Sequence, residues 1–352
     1  MDYFHTFWRV FDFKILIDYE RIKTFVHEKK IPLPRFSNMY ITNLCNHNCR
    51  YCEYRQENKK KTIMPTERVL KNISEVSKLG VKAIDFCGGG EPTLHPDLEK
   101  ILNYCYKKKI VTGLFTNLAF KNDSLLQTIA QCCSYVRVSL DTFDENKYNH
   151  LRRPKSNIFS FNTVIENIKN LVKLKKQYKS KIIIGTKMLL TNLNYQEVEK
   201  FIQESINLGV DSVQFKKVCL HPNLSVNLRL QKYTESKLKC LKEKYAKKIN
   251  LFISLGNSEL KIRCFTHINH IFIDALGDVY LCCYYLRRKK KHWLGNVYQK
   301  SIKDIWFSDR HLEVAKNTEI RECNRMDCRW IKFNNFLKPF IYEDKLRQLD
   351  FV

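Results

Sequence analysis

Between residues 38 and 218 the chain alternates short apolar runs with longer amphipathic stretches, six times over. The runs are NMYITNL (38–44), KAIDFC (82–87), IVTGLFT (110–116), YVRVSL (135–140), KIIIGTKMLL (181–190) and DSVQFKKV (211–218). Near-continuous apolar strands separated by amphipathic helices imply a parallel sheet covered by those helices. In PTERVLKNISEVSKLG, Thr66 is placed to cap a helix, Val69, Ile73 and Val76 share one face, and Gly80 ends it. No GxGxxG turn follows the first strand, which disfavours a dinucleotide-binding sheet. The pattern predicts an α/β fold, a partial (β/α)6 TIM-like barrel over residues 38–250, preceded by a helical extension over 1–37. Beyond about residue 250 the alternation stops. There HIFIDALGDVYLCC (270–283) reads as two short strands around a Leu-Gly-Asp turn, in a smaller unit over 251–352.

A barrel of this kind carries its working residues at the C-terminal ends of its strands. That rule sorts the candidates. Cys45, Cys49 and Cys52 follow the first strand, GGGEP (88–92) the second, Thr116 and Asn117 the third, and Ser139 and Asp141 the fourth. Later strand ends add Lys187, Lys216, Cys219 and His221 as candidates to face a substrate; a lysine there either binds phosphate or merely reaches solvent.

Composition excludes several classes. No apolar run approaches the ~20 residues that span a bilayer. The N-terminal MDYFHTFWRVFDFKILIDYE is interrupted by Asp2, Arg9, Asp12, Lys14 and Asp18 and lacks a signal peptide's apolar centre, so a cytoplasmic protein without a membrane span is expected. The net charge of +26 would suit a polyanion, yet much of it is lysine scattered along helices, as in KNLVKLKKQYKSK (169–181). Denser basic runs begin at Glu57 (ENKKK) and Arg287 (RRKKK) and are the better candidates for an anion contact. Fourteen irregularly spaced cysteines without a signal peptide argue for metal-bound thiolates over a disulfide framework. Cys105, Cys132, Cys133 and Cys240 sit in helix-like or strand-leading stretches and read as buried small hydrophobes.

The CxxxCxxC loop CNHNCRYC (45–52) puts three thiolates on one compact turn. A structural zinc site takes four ligands, and His47 is the only nearby candidate for a fourth; a cubane held by three cysteines instead leaves one iron open for a cofactor or substrate. With Tyr51 before the last cysteine, GGGEPTLHP after strand two, FTN after strand three and VRVSLD after strand four, residues 38–220 resemble the radical S-adenosylmethionine (SAM) superfamily. The resemblance implies that Cys45, Cys49 and Cys52 ligate a [4Fe-4S] cluster whose open iron chelates SAM. It implies further that Tyr51 packs near the adenine and that backbone groups of Gly89, Gly90 and Glu91 meet the methionine amino group, glycine being needed because a Cβ would block that approach. Ser139 and Asp141 resemble the polar pair that contacts ribose or carboxylate, and Arg152 or Arg153 the carboxylate's charge partner. Structural readings compete for three of these residues: Asp141 as a helix cap, Asn117 as a turn closure, Arg153 as part of the Pro154 bend.

The tail offers Cys264, Cys282, Cys283, Cys323 and Cys328. Cys264 and Cys282 flank the hairpin, and with LGNVYQKSIKDIW (294–306) they resemble the start of a SPASM or twitch extension. The full SPASM pattern has seven cysteines for two clusters. Here Cys264, Cys282, Cys323 and Cys328 suffice for one auxiliary [4Fe-4S] cluster, with zinc on the same four thiolates as the alternative. Cys283 is expected to point away from Cys282 on a strand, and His267 and His270 to line the hairpin, with a ligand role as the alternative.

The resemblance therefore implies a radical enzyme served by a flavodoxin or ferredoxin-type electron donor, with a 5′-deoxyadenosyl radical abstracting a substrate hydrogen. A small, carbohydrate-like or otherwise polar substrate, oxidised or rearranged, is the leading expectation; the 37 N-terminal residues are short for a leader-binding domain. A peptide maturase is the rival enzyme. A non-catalytic iron-sulfur protein that binds nucleic acid is the rival from another class, and GGGEP counts against it.

Overall fold

A computed structural model describes residues 21–218, 222–225, 227–255, 263–286 and 288–318, together with 323, 328, 330, 331, 334 and 335. Residues 1–20 of the expected extension, Cys219, His221 and Arg287 lie outside the described residues. Residues 21–27 are helical and bury Ile22 and Phe25.

A strand forms at each of the six expected runs, β1 (Phe36–Met39), β2 (Ala83–Phe86), β3 (Val111–Thr116), β4 (Tyr135–Ser139), β5 (Ile183–Leu190) and β6 (Ser212–Lys217), although β1 begins two residues before its expected run, 38–44, and ends five residues before that run does. They pair in parallel in chain order, and β7 (Asn250–Ser254) continues the series beside β6. At the other edge β8 (His270–Ile273) pairs in parallel with β1, Phe36 opposite His270. β9 (Asp278–Tyr280) turns back antiparallel on β8, and β10 (Trp293–Asn296) on β9. The tail hairpin is thus continuous with the barrel sheet, in the order β10-β9-β8-β1-β2-β3-β4-β5-β6-β7.

Side-chain alternation divides the sheet into a face packed under helices and an inner face. On β4, Val136 and Val138 are fully buried, which leaves Arg137 and Ser139 to the inner face. The helix Thr66–Lys78 buries Val69, Ile73 and Val76 and is followed by Gly80 at φ +89°, as its sequence foretells. Its cap differs from expectation. Pro65 takes the N-cap position and Thr66 is the first helical residue, its hydroxyl donating to Asp97 at 2.5 Å. Cys105, Cys132 and Cys133 are buried as expected, whereas Cys240 is exposed, on the solvent side of the helix Leu228–Lys244.

Candidate active site

The cysteine loop leaves β1 and is stitched to the end of β2. Gly90 N donates to Thr42 O (2.9 Å) and Glu91 N to Leu44 O (2.6 Å). The contact is so close that a Cβ on Gly90 would stand 1.9 Å from the Leu44 carbonyl oxygen, and one on Gly89 2.2 Å from Asn43 Oδ1. At position 90 glycine is needed for the approach of the cysteine loop's own backbone, whereas at 89 the neighbour is a side chain. The Glu91 carboxylate is buried and accepts from Thr93 N, Thr93 Oγ1, Thr116 Oγ1 and Asn117 N, at 2.6 to 3.1 Å. Burial pushes its pKa up, against those hydrogen bonds. It fastens the β2 loop to the end of β3.

Asn117 continues this net into the cysteine loop. Its Nδ2 donates to Asn46 Oδ1 (2.6 Å) and to His47 Nδ1, while Oδ1 accepts from Ala119 N (2.9 Å). The residue therefore both closes its turn and positions the loop. His47 also meets Phe159 O and the Tyr148 hydroxyl through Nε2. Burial, then the Arg152 charge, hold its pKa near 3, so the ring is neutral with both nitrogens engaged, and it is not turned toward the cysteines as a fourth ligand.

At the end of β4, three buried groups form a knot. The Tyr51 hydroxyl donates to Asp141 Oδ2, and Arg152 Nε lies 2.7 Å from the same oxygen. Asp141 Oδ1 accepts from Leu189 N at 2.7 Å, which ties the knot to β5. Asp141 does not cap the following helix, Glu145–Arg152; Asp144 does. Of the two arginines, Arg152 is buried and reaches Cys49 Sγ (3.7 Å), whereas Arg153 is exposed and ends that helix at φ +49°. The Tyr51 ring packs against Leu151, Val218 and Leu224. Ser139 keeps partial exposure on the inner face, in register with Lys187.

The three thiols feel one another. Burial, then the Cys49 charge, push Cys45 up to about 12 and Cys52 to about 11; Cys49 is also raised by burial, with Arg152 opposing. Thiols kept protonated only by burial and mutual repulsion are ones that a cationic cluster would deprotonate. Among the described residues no three His, Cys, Asp or Glu side chains are gathered tightly enough for a single ion. Sulfurs around a cluster of several irons stand farther apart than those around one ion.

In the tail, Cys264, Cys282, Cys283, Cys323 and Cys328 line one small cavity, of about 30 Å³, with His267, His270, Arg288 and His292. Burial pushes Cys282 to about 12 and raises Cys264 and Cys328. Cys283 departs from expectation: β9 ends at Tyr280, both cysteines lie in the bend beyond it, and both line the cavity. His267 is buried with no hydrogen-bond partner for either ring nitrogen. That is the signature of a site shaped for something further.

Arg288 was not singled out as a site residue by the sequence. It sits in one of the two basic runs expected to make an anion contact, and it is buried, with Nη1 3.2 Å from Cys323 Sγ and Nη2 3.7 Å from Cys282 Sγ. The two basic runs also meet each other: Lys60 (2.9 Å) and Lys289 both pair with the Glu57 carboxylate. From the barrel side, the Tyr40 and Tyr54 hydroxyls bond at 2.9 Å, and Tyr54 reaches Cys283 O at 3.4 Å. This pair bridges the cysteine loop and the tail.

A parallel partial barrel with a cysteine loop at its mouth and a second cysteine-lined cavity on the same sheet defines an iron-sulfur protein of the radical SAM kind. Residues 39–205 match the radical SAM superfamily, and residues 264–329 match SPASM, an iron-sulfur cluster-binding domain. The chain carries a radical SAM domain and a SPASM iron-sulfur domain. It is an enzyme whose cofactors are a [4Fe-4S] cluster with SAM and auxiliary iron-sulfur.

It is similar to the tungsten-containing aldehyde ferredoxin oxidoreductase cofactor-modifying protein of Pyrococcus furiosus, 26% identical over 344 residues, covering 90% of this chain and 89% of that one. A probable GTP 3′,8-cyclase of Saccharolobus islandicus is 25% identical over 52% of this chain and 56% of its own. Among solved structures, Streptococcus suis SuiB bound to SAM superposes with TM-score 0.68 at 15% identity, covering 89% of this chain and 73% of that one. anSMEcpe with bound AdoMet gives TM-score 0.62 at 20% identity, covering 84% of each chain. Among the described residues no helix is long and apolar enough to cross a membrane.

Proposed function

We propose that Cys45, Cys49 and Cys52 hold the SAM-binding cluster, that Cys264, Cys282, Cys323 and Cys328 hold one auxiliary [4Fe-4S] cluster, and that the enzyme oxidises or rearranges a small polar metabolite. When bound, the first cluster and SAM supply a 5′-deoxyadenosyl radical that takes a substrate hydrogen. The protein's part is orientation and exclusion of water. Asp141 fixes Tyr51 and Arg152 beside Cys49, and Ser139 and Arg152 are the residues proposed to receive the SAM carboxylate. Gly89, Gly90 and Glu91 bring the β2 loop against the cysteine loop. The observation that carries the reading is the Tyr51–Asp141–Arg152 knot, which joins the cysteine loop to β4 and β5.

A small polar substrate is favoured by the inner face, where Asn38, Asp85, Arg137, Lys187 and Gln214 stand on five different strands. Relatives named for GTP and for a nucleotide agree with it. A peptide substrate is the second reading, favoured by the similar fold of SuiB bound to its precursor peptide SuiA. A flavodoxin or ferredoxin-type protein is the proposed electron donor, suited in charge to a chain of net +26.

Anaerobically reconstituted protein is expected to bind about eight irons per chain and, reduced with dithionite, to release 5′-deoxyadenosine from SAM. Replacing Cys45, Cys49 and Cys52 by Ala together should abolish release and leave about four irons. No release from intact, SAM-bound protein overturns the reading. Deuterium reaching 5′-deoxyadenosine from a labelled extract's small-molecule fraction, and not from its peptides, selects the first substrate class.

A further inference from the structure

The inner face of the barrel carries concentrated positive charge. Arg137 on β4, Lys187 on β5 and Lys216 on β6 alternate with fully buried neighbours, Val136 and Val138, Thr186 and Met188, and Phe215, which fixes all three to the inner face. Lys187 is in register with Ser139 on one side and Gln214 on the other. Arg137 lies one inner-face position below Ser139; its Nη1 donates to Gln214 Oε1 (2.8 Å), its guanidinium covers the Phe115 ring at 3.8 Å, and its Nε is buried with no partner.

Lys187 is surrounded by protein yet keeps partial exposure. Among the described residues neither Lys187 nor Arg137 has an ion pair. The carboxylate that acts on Lys187, Asp141, is already taken by Arg152, Tyr51 and Leu189 N. Burial, then the Arg137 and Lys216 charges, depress the Lys187 ammonium well below its ordinary range. An anion between the cations would relieve both effects.

Resting on the radical-enzyme reading above, we propose that Arg137 and Lys187 form an anion subsite on the inner face below the barrel mouth, and that the small substrate carries a phosphate or carboxylate group held there. Arg152, on the cysteine-loop side of Asp141, is left to serve the carboxylate of SAM. Guanidinium and ammonium supply complementary recognition, a planar fork and a point charge.

The test uses reconstituted full-length enzyme saturated with SAM, at fixed ionic strength, titrated with inorganic phosphate and separately with acetate; the tighter probe names the group. Lys187→Met and Arg137→Gln should each weaken the tighter probe by roughly tenfold, Lys187→Arg should retain it, and SAM affinity should be unchanged. Iron content and melting temperature of Lys187→Arg establish that position 187 tolerates replacement. Equal probe affinity in all variants overturns the subsite, the anion then residing on the basic exterior. Loss of SAM affinity without loss of probe binding also overturns it, assigning Lys187 to SAM. Release of 5′-deoxyadenosine with variant-insensitive probe binding fails the subsite alone. Absence of release with variant-sensitive binding fails the radical reading alone.

Discussion

Arg288 shows how one side chain sets the character of a site. Its guanidinium stands against the sulfurs of Cys323 and Cys282, two of the proposed tail ligands, while its remaining bonds go to the Tyr284 carbonyl. A fixed positive charge and hydrogen bonds to thiolate favour the reduced, more negative state of a cluster. Arg288→Met is expected to shift the tail cluster's reduction potential to more negative values, and Arg288→Lys to shift it less. Redox titration followed by electron paramagnetic resonance reads both. An unchanged potential in Arg288→Met would mean that the arginine only fills space. The sequence marked its basic run as a place for an anion contact, but nothing local marks the one member that turns inward. His47 is the converse: its place inside the cysteine loop invites a ligand role, and its bonds to Asn117, Phe159 and Tyr148 consume it structurally.

At the scale of elements, the loop after β2 and the cysteine loop behave as one unit because their backbones touch. Gly90→Ala places a methyl group 1.9 Å from a backbone carbonyl, which has no side-chain freedom with which to yield. The variant should lose the cluster of the cysteine loop and keep that of the tail, falling from about eight to about four irons. Gly89→Ala meets the Asn43 side-chain amide, which can swing away, and should keep more. Iron and sulfide analysis with SAM cleavage distinguishes the two. The strands that frame these loops were legible because each is a short apolar run bounded by helix signals. β7, in NLFIS, was not singled out, since five residues after a long helix carry little periodicity. The parallel docking of β8 on β1 was invisible for a different reason: the pairing joins residues 36–39 to 270–273, and no local pattern encodes a register across such a separation. The spacing of Cys45, Cys49 and Cys52 was legible because one loop contains it. The net of Glu91 and Asn117 was not, since it exists only once three strand ends meet.

On the scale of the whole molecule, the barrel and tail are held together by charge as well as by sheet. Glu57, just beyond the cysteine loop, receives Lys60 from its own segment and Lys289 from the tail. Burial pushes the Glu57 carboxyl up, but hydrogen bonds from Lys289 and Lys60 outweigh it and leave the pKa below the ordinary glutamate value. A carboxylate lowered in the folded state contributes stability that is full above its unfolded pKa and is lost as pH falls through the folded one. Glu57→Gln should therefore lower stability at neutral pH by about 1 kcal/mol, roughly 2 °C in Tm, with the two partly exposed lysines limiting the size. The gap between wild type and variant should narrow in melts run below the ordinary glutamate pKa and close once the pH is below the lowered folded one; a gap that persists there would assign the effect to packing. The pairing of β8 with β1 also bears on how the chain is made. β1 emerges from the ribosome early, finds β2 on one side, and waits more than two hundred residues for its other neighbour. Until then its open backbone edge is available to any passing strand. A nascent chain halted before His270 thus presents, as a bare edge, the very strand that leads to Cys45.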